Sequence, residues 1–472
     1  MANNYMDESK KYKNASFCYL IGNFFNKGLA FLTIPIFTRL LSTSDYGIIN
    51  TYSSWAGILS MIVGFAMHMS IRNAFVDYKD DTESYLSTII KFTLLSSLGF
   101  MLIFYAVVKI FRINISLSLV FICLFHSVAS SIIEDVSCYF MMKYNYIKRT
   151  ILMILPNLIS VCVAIFLISY ILKKDLYLGR IIPEALTIII FAIILSICYT
   201  KKGFNTTYIK HALKISVPLI LHGAALNILS NSDRIMITWL ADASQSGIYS
   251  LSYSLGMITY AITLSIDGIW IPWFTNKMKE KSYDEINYIT KDYIKLITYI
   301  MCGLIIVSPE ILKILASKSY WEGIKLMPII IVANFLFFAY NIYSNLEHYY
   351  KKSNQITALT ILAAVLNLVL NYIFIPKFGY VAAAFTTAIS YFVIFILHSI
   401  YSKTLNSNVF SIKMFILPII EIFIFCALFY LLADHAIIRW AVAIIYFCTV
   451  AFIQRDKIMT VLLPTLKGKF GK

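Results

Sequence analysis

The chain has 472 residues, of which 60% are hydrophobic and 14% charged, with a net charge of +16. Soluble domains are about 45–50% apolar and about 25% charged, so this composition excludes a water-soluble globular protein. The apolar residues run in blocks near the roughly 20 residues that cross a bilayer, and the excess of Lys and Arg then fits basic membrane loops rather than nucleic-acid binding.

Residues 1–14 are polar and carry Lys10, Lys11 and Lys13. The block that follows exceeds the apolar core of a signal peptide, about 7–15 residues, and is predicted to be a retained first span. Fourteen helical spans are predicted, near 16–41, 46–71, 88–109, 114–140, 150–172, 176–199, 211–240, 246–274, 290–317, 324–350, 356–376, 379–402, 411–433 and 435–454. The ninth is interrupted by Lys295, Pro309 and Glu310. Loops on the side of the N-terminus then hold 27 Lys and Arg against 11 on the other side, and the bias persists in each half of the chain. The positive-inside rule therefore puts both termini in the cytoplasm.

No loop is long enough for a folded domain, and the sequence holds no phosphate-binding G-x-x-x-x-G-K-[ST], H-E-x-x-H or D-x-D run. Those absences argue against ATP hydrolysis and metal-dependent catalysis in this chain. Transport would draw instead on an ion gradient, the membrane potential or the substrate's own gradient, with no cofactor beyond a possible H⁺ or Na⁺. The eight cysteines sit in apolar blocks without a C-x-x-C pair, and read as small buried hydrophobes.

The chain repeats itself weakly at an offset near 200. Thr38, Leu40, Ser44, Gly47 and Ile48 recur as Thr238, Leu240, Ser244, Gly247 and Ile248, and Gly179 recurs as Gly379. Six spans separate the copies, which gives both the same orientation, as in one class of transporters. The expected architecture is all-α and membrane-integral: a six-helix lobe over 1–210, a second over 211–403, and an extra helix pair with a basic cytoplasmic tail over 404–472. At each repeat Ser, Asp and Gly also supply the chemistry of a tight turn, so a plain helical hairpin fits equally well.

The stretch KGLAFLTIPIFTRLLSTSDYG from Lys27 to Gly47 resembles the first helix and hairpin of Wzx-type polysaccharide flippases. So do LKISVPLILH from Leu213 to His222, SDRIMI from Ser232, SGIYSL from Ser246, and NLVLNYIFIPKFGYVAAA from Asn367 to Ala384. Their superfamily also contains the MATE drug exporters and the lipid II flippases. The resemblance implies a two-lobe, MATE-like fold with alternating access. It implies a polyprenyl-diphosphate oligosaccharide as substrate, membrane lipids and polysaccharide polymerase or assembly proteins as partners, and a bacterial plasma membrane as location. Many Wzx-type proteins have twelve spans; a C-terminal pair like the one here occurs in lipid II and sporulation-type relatives. Two rival functions stay open, a cation-coupled multidrug exporter and a membrane polymerase or glycosyltransferase.

Ionisable groups inside a membrane are costly and usually face a cavity or a partner. Asn227, Asn231, Arg234 and Thr238 of the seventh span fall on one helical face. Tyr249, Tyr253, Gly256, Tyr260, Thr263, Asp267 and Trp270 do so in the eighth. Two such faces can line a polar cleft, or can be hydrogen-bonded packing surfaces. Lys27 is placed ~16 Å into the first span, at about 1.5 Å per residue, where its charge would offset a diphosphate's desolvation. Arg39 and Arg234 lie nearer the outer end; their structural alternatives are interfacial anchoring and a pair with Asp233 or another acidic group, and for Lys27 a buried ion pair. Asp267 is a candidate for proton or Na⁺ exchange or for a plain capping or pairing role. His222 and His126 can titrate near neutrality. Glu134 and Asp135 are expected against loop lysines, Glu421 has no evident role, and Pro35, Pro156, Pro218 and Pro418 are expected to bend their helices.

Overall fold

A computed structural model describes residues 25, 26, 28–110 and 116–455. Among these residues the secondary structure is helical throughout. The helices are α1 (Gly28–Leu40), α2 (Thr43–Val63), α3 (His68–Asp77), α4 (Thr82–Ile110) and α5 (Leu117–Met142). Next come α6 (Tyr146–Phe166), which ends in a π-helical turn at Leu167–Ile171, α7 (Leu178–Tyr199), α8 (Thr206–Leu240), α9 (Ala243–Gly256) and α10 (Ile258–Glu280). The series closes with α11 (Tyr283–Leu315), a 3-10 segment Lys318–Leu326, α12 (Met327–Tyr349), α13 (Ser353–Leu405), α14 (Lys413–Leu431) and α15 (Ala436–Ile453).

Among the described residues, eleven helical segments are long and apolar enough to cross a membrane. The 53-residue α13 is two spans joined at Gly379, whose φ of 60° breaks the helix. With α1 and α8 in the first and seventh places, the fourteen predicted spans are all occupied. Large apolar side chains point outward, such as Leu102 at 71% and Ile197 at 74% exposure. Water would oppose this arrangement and a hydrocarbon solvent accepts it, because every helix satisfies its own backbone polar groups.

The second span is interrupted at a point marked in the sequence by a single glycine. Gly64 ends α2, and Phe65 and Ala66 take positive φ values of 50° and 44° before α3 resumes. The backbone recovers partners there, with Phe65 N donating to Ile62 O at 3.2 Å and Ala66 N to Met61 O at 3.2 Å. The break lies where α2 passes close to α5, since a Cβ on Gly64 would collide with Ser131.

By contacts the described chain forms two compact units. The first holds residues up to Ser250, Leu315–Tyr320 and Thr357–Ala383. Its core joins α3, α4, α5 and α8 around Tyr85, Ile89, Ile132, Val136 and Ala212. A second apolar cluster joins α1, α2, α5 and α7 around Phe37, Leu59, Leu124 and Ile181. The other unit holds Leu251–Ile314, Trp321–Ile356 and residues from Ala384 onward. Aromatic rings fill it: Tyr343 packs on Phe395, Phe410 and Phe415 at 5.7–6.3 Å between centroids.

Within the second unit the C-terminal pair is tied down by charge. Arg439 of α15, 1% exposed, pairs with Glu310 of α11 and donates to Ala433 O at 2.7 Å. Glu421 of α14, unexplained by the sequence, accepts a 2.6 Å hydrogen bond from Tyr446.

Candidate transport site

The site is built on the start of the two repeats, all within the first unit. Ser42 caps α2, accepting from Asp45 N at 3.0 Å, and the Asp45 side chain closes a capping box. Asp45 also reaches α7, accepting from Tyr177 N at 3.3 Å. Two hundred residues on, Asp242 accepts from Gln245 N at 2.8 Å, and Gln245 Oε1 accepts from Tyr380 N at 3.0 Å, just past the break at Gly379. The offset seen in the sequence is thus also an offset in capping: each copy ties the start of one span to the start of another.

The repeated glycines meet. A Cβ on Gly47 would strike the Ala243 carbonyl, and one on Gly247 the Thr43 carbonyl. Small residues let two helices approach to backbone contact. Hydroxyls close the crossing, with Thr43 Oγ1 and Ser244 Oγ 2.6 Å apart and Thr51 Oγ1 and Thr238 Oγ1 2.6 Å apart.

Cationic groups gather beside this crossing. Arg234 of α8 is half-buried and donates to Asn231 Oδ1 at 2.8 Å. Asn231 donates to Asn227 O at 3.2 Å, so the polar face of the seventh span is a continuous, half-exposed strip. Arg180 of α7 stacks its guanidinium 5.1 Å from the Phe37 ring and lies 3.6 Å from Glu184. Arg180 and Arg234 both fall within electrostatic reach of Tyr46, and Glu184 within reach of Tyr52 and His126. His126 Nδ1 is 2.9 Å from the Tyr52 hydroxyl. No sequence signal singles out Arg180 beyond its position directly after Gly179, a glycine of the repeat.

The other predicted residues are placed as follows. Lys27 lies outside the described residues, and so does the side chain of His222. Next to Lys27, Asn26 donates to Met153 O at 2.9 Å and accepts from Asn157 at 3.3 Å. Arg39 is exposed on α1. In the second unit Tyr253 is buried at 7%, Tyr260 packs edge-on against Phe337 at 5.2 Å, and Asp267 accepts from Tyr293 at 2.9 Å.

Three acidic groups differ from expectation. Asp135 does not face loop lysines: it is fully enclosed, and neither carboxylate oxygen has a hydrogen-bond partner among the described residues. Glu134 sits 3.6 Å from His68. Asp233 is not an ion-pair partner of Arg234 among the described salt bridges. It points the other way, 1% exposed, accepting from Tyr249 at 2.5 Å and from Asn371 at 2.7 Å. Adjacent residues on a helix face directions about 100° apart, which separates the two.

An apolar groove of about 580 Å³ runs along the second unit between α12, the latter half of α13 and α14. Phe335, Leu336, Phe385, Ile389, Phe423 and Tyr430 are among its walls. Its chemistry suits a hydrocarbon chain.

The sequence profile of the polysaccharide biosynthesis protein family matches residues 13–278, more than half of the chain. The chain belongs to this family. As a polysaccharide biosynthesis protein it shares its fold with a lipid II flippase, MurJ, in an inward closed conformation. That similarity has a TM-score of 0.63 at 19% identity and covers 91% of this chain and all of the other. An inward-facing MATE multidrug transporter of the MOP superfamily is similar at a TM-score of 0.58 and 13% identity, over 82% and 94% of the two chains. Among sequences, an uncharacterized membrane protein of Methanocaldococcus jannaschii is 23% identical over 398 residues, 80% of this chain and 94% of that one. The Lsg locus putative protein 1 of Haemophilus influenzae is 22% identical over 366 residues, covering 74% and 88%. This family member is therefore a multi-pass membrane protein with the MOP-superfamily fold.

Proposed function

We propose that this protein is a flippase, not an enzyme, that carries a polyprenyl-diphosphate-linked oligosaccharide across a bacterial plasma membrane by alternating access. Capsule, O-antigen or exopolysaccharide assembly would use its product, and a polymerase or assembly protein would act beside it. Residues 1–210 and 211–403 would be the two moving lobes, with 404–472 appended and both termini cytoplasmic.

The observation that carries this reading is the pair of arginines around Tyr46. Arg180 of α7 and Arg234 of α8 both act electrostatically on Tyr46, and two guanidiniums within reach of one group suit a diphosphate, which Arg can bind bidentately. Arg39 and Lys27 would extend the cationic path, and Asn227 and Asn231 would meet sugar hydroxyls. Tyr253 and Tyr260 would offer aromatic faces to the sugar when the cycle exposes them. The apolar groove of the second unit would take the polyprenyl chain outside the cleft. Family membership supports the polysaccharide context. Asp267 and His222 would be among the places for an exchanging proton or Na⁺. A multidrug exporter has the same fold, but an exporter of organic cations favours an acidic cleft.

The test is reconstitution in liposomes with a short-chain polyprenyl-diphosphate oligosaccharide in the inner leaflet. Wild type is expected to bring it to the outer leaflet. Arg180→Ala and Arg234→Ala should each slow this roughly ten- to a hundredfold, because a charged hydrogen bond is worth about 1.5–3 kcal/mol. Export of an organic cation with no movement of the lipid would select the drug-exporter reading instead.

A further inference from the structure

Glu347 of α12 and His398 of α13 form a pair that the transport site does not use. Both side chains are completely buried in the second unit. His398 Nδ1 lies 2.8 Å from Glu347 Oε1 and 2.9 Å from Oε2, and Ser402 Oγ donates to Oε1 at 3.1 Å. The other imidazole nitrogen, Nε2, is enclosed with no hydrogen-bond partner among the described residues.

Among the described residues no other side chain forms an ion pair with Glu347 or His398. From α12, His348 is within electrostatic reach of both groups, and the Tyr340 ring stands 5.4 Å from the imidazole. The buried Tyr343 hydroxyl on the same helix has no partner among the described residues. Helix α14 brings Phe415 against Tyr343 and Phe395, and its acid, Glu421, is held by Tyr446. Helix α10 brings Phe274 against Tyr349, and its Asp267 is held by Tyr293. Lys351 and Lys403 near the helix ends are exposed. Among the described residues, His398 is the ion-pair partner of Glu347.

An unprotonated imidazole beside a carboxylate leaves a net charge of −1 in an apolar interior, which is strongly disfavoured. One proton on the pair, shared between imidazolium and carboxyl, makes it neutral. We propose that Glu347 and His398 are a proton-binding site through which this transporter couples its conformation to a proton gradient. Uptake of one H⁺ from water takes the pair from −1 to 0, with Nε2 as the entry atom, and release to water reverses it. The pair can lose that proton once α12 and the latter half of α13 part enough to admit water, so proton release and helix separation favour each other. The coupling role rests on the transporter reading above, whereas the proton site does not.

Two measurements separate those claims. Potentiometric titration of substrate-free protein in nanodiscs, compared between wild type and Glu347→Gln, reads the proton itself. Gln keeps the size and accepts from Nδ1, and the variant should bind one proton fewer than wild type across the titration of the pair. Equal proton uptake would overturn the site, whatever the protein transports. The liposome assay run with and without an imposed pH gradient reads the coupling. Wild type should respond to the gradient, while Glu347→Gln should flip the lipid at a rate the gradient no longer changes. A variant that keeps the full response would make the pair purely structural. Should Glu347→Gln not fold, His398→Gln enters the same two measurements with the same expected losses. Ser402→Ala, which leaves both titrating groups, should retain the proton and the response.

Discussion

Single residues in this protein divide by what they face. Asp81, in the turn before α4, shows how a loop acid stabilises a helix end. Hydrogen bonds from Ser84 and Tyr208 hold its carboxyl below its ordinary value of 3.8. A folded value below the unfolded one gives stability that is complete above the unfolded value and lost as pH falls through the folded one. Asp81→Asn is therefore expected to lower the Tm of detergent-purified protein at neutral pH, with the difference from wild type vanishing on acidification below about 3.8. The neighbouring Glu83, bridged by Lys143 and Lys201 at 2.7 Å each, shows why basic loops can crowd here: part of their charge is neutralised locally. Arg180 makes the complementary case. Its residue type and position were plain in the sequence, but only folding brings it and Arg234 to the same tyrosine.

At the scale of elements, the repeat gains physical content. Ser42 and Asp242 cap equivalent helices, and Asp45 and Gln245 each accept from a backbone N–H near the start of another span, although neither pair is identical. The offset therefore marks a capping geometry rather than a run of identities. The two repeat glycines are required by approach, because each leaves room for a backbone carbonyl of the opposing helix. Gly47→Ala and Gly247→Ala are each expected to cost about 1–3 kcal/mol by overpacking, read as a lower Tm. The double variant should cost less than the sum, since one displacement of the crossing relieves both clashes. Equal stability of the single variants and wild type would show that the helices part freely. The ends of α5 and α12 echo each other too, with Tyr144 and Lys351 at φ values of 54° and 58°. Nothing in their residue types announces this, because the left-handed turn there is set by the helix ending and not by a glycine.

For the whole molecule, the burial of charge in the C-terminal pair sets how firmly it is held. Arg439 is enclosed, and Glu310 opposite it is 21% exposed. Removing one partner of a buried pair leaves the other unpaired, at a cost of about 3–5 kcal/mol when burial is complete. Glu310→Ala is expected to approach the lower end of that range, because Arg439 would keep its hydrogen bonds to Leu432 O and Ala433 O. Limited proteolysis after residue 405 should then release the last two helices faster than in wild type. Replacing both Glu310 and Arg439 by Met should restore resistance.

The sequence by itself determined the class and the span count, because a bilayer reads length and hydropathy without reference to packing. It also determined the repeat and the polar strip of the seventh span, since a 3.6-residue period assigns residues to helix faces. It did not reveal that Asp233 turns away from Arg234 to Tyr249 and Asn371, that Asp135 is enclosed, or that Glu347 and His398 meet across 51 residues. Nor did it bring Arg180 within reach of Tyr46 or give Glu421 a partner. Those outcomes depend on which helix faces oppose one another, and in a chain whose lipid-facing and protein-facing surfaces are both apolar, hydropathy does not distinguish them. Only the tertiary structure decides which polar groups find each other, because inside a membrane each one's cost is fixed by its neighbours rather than by its position along the chain.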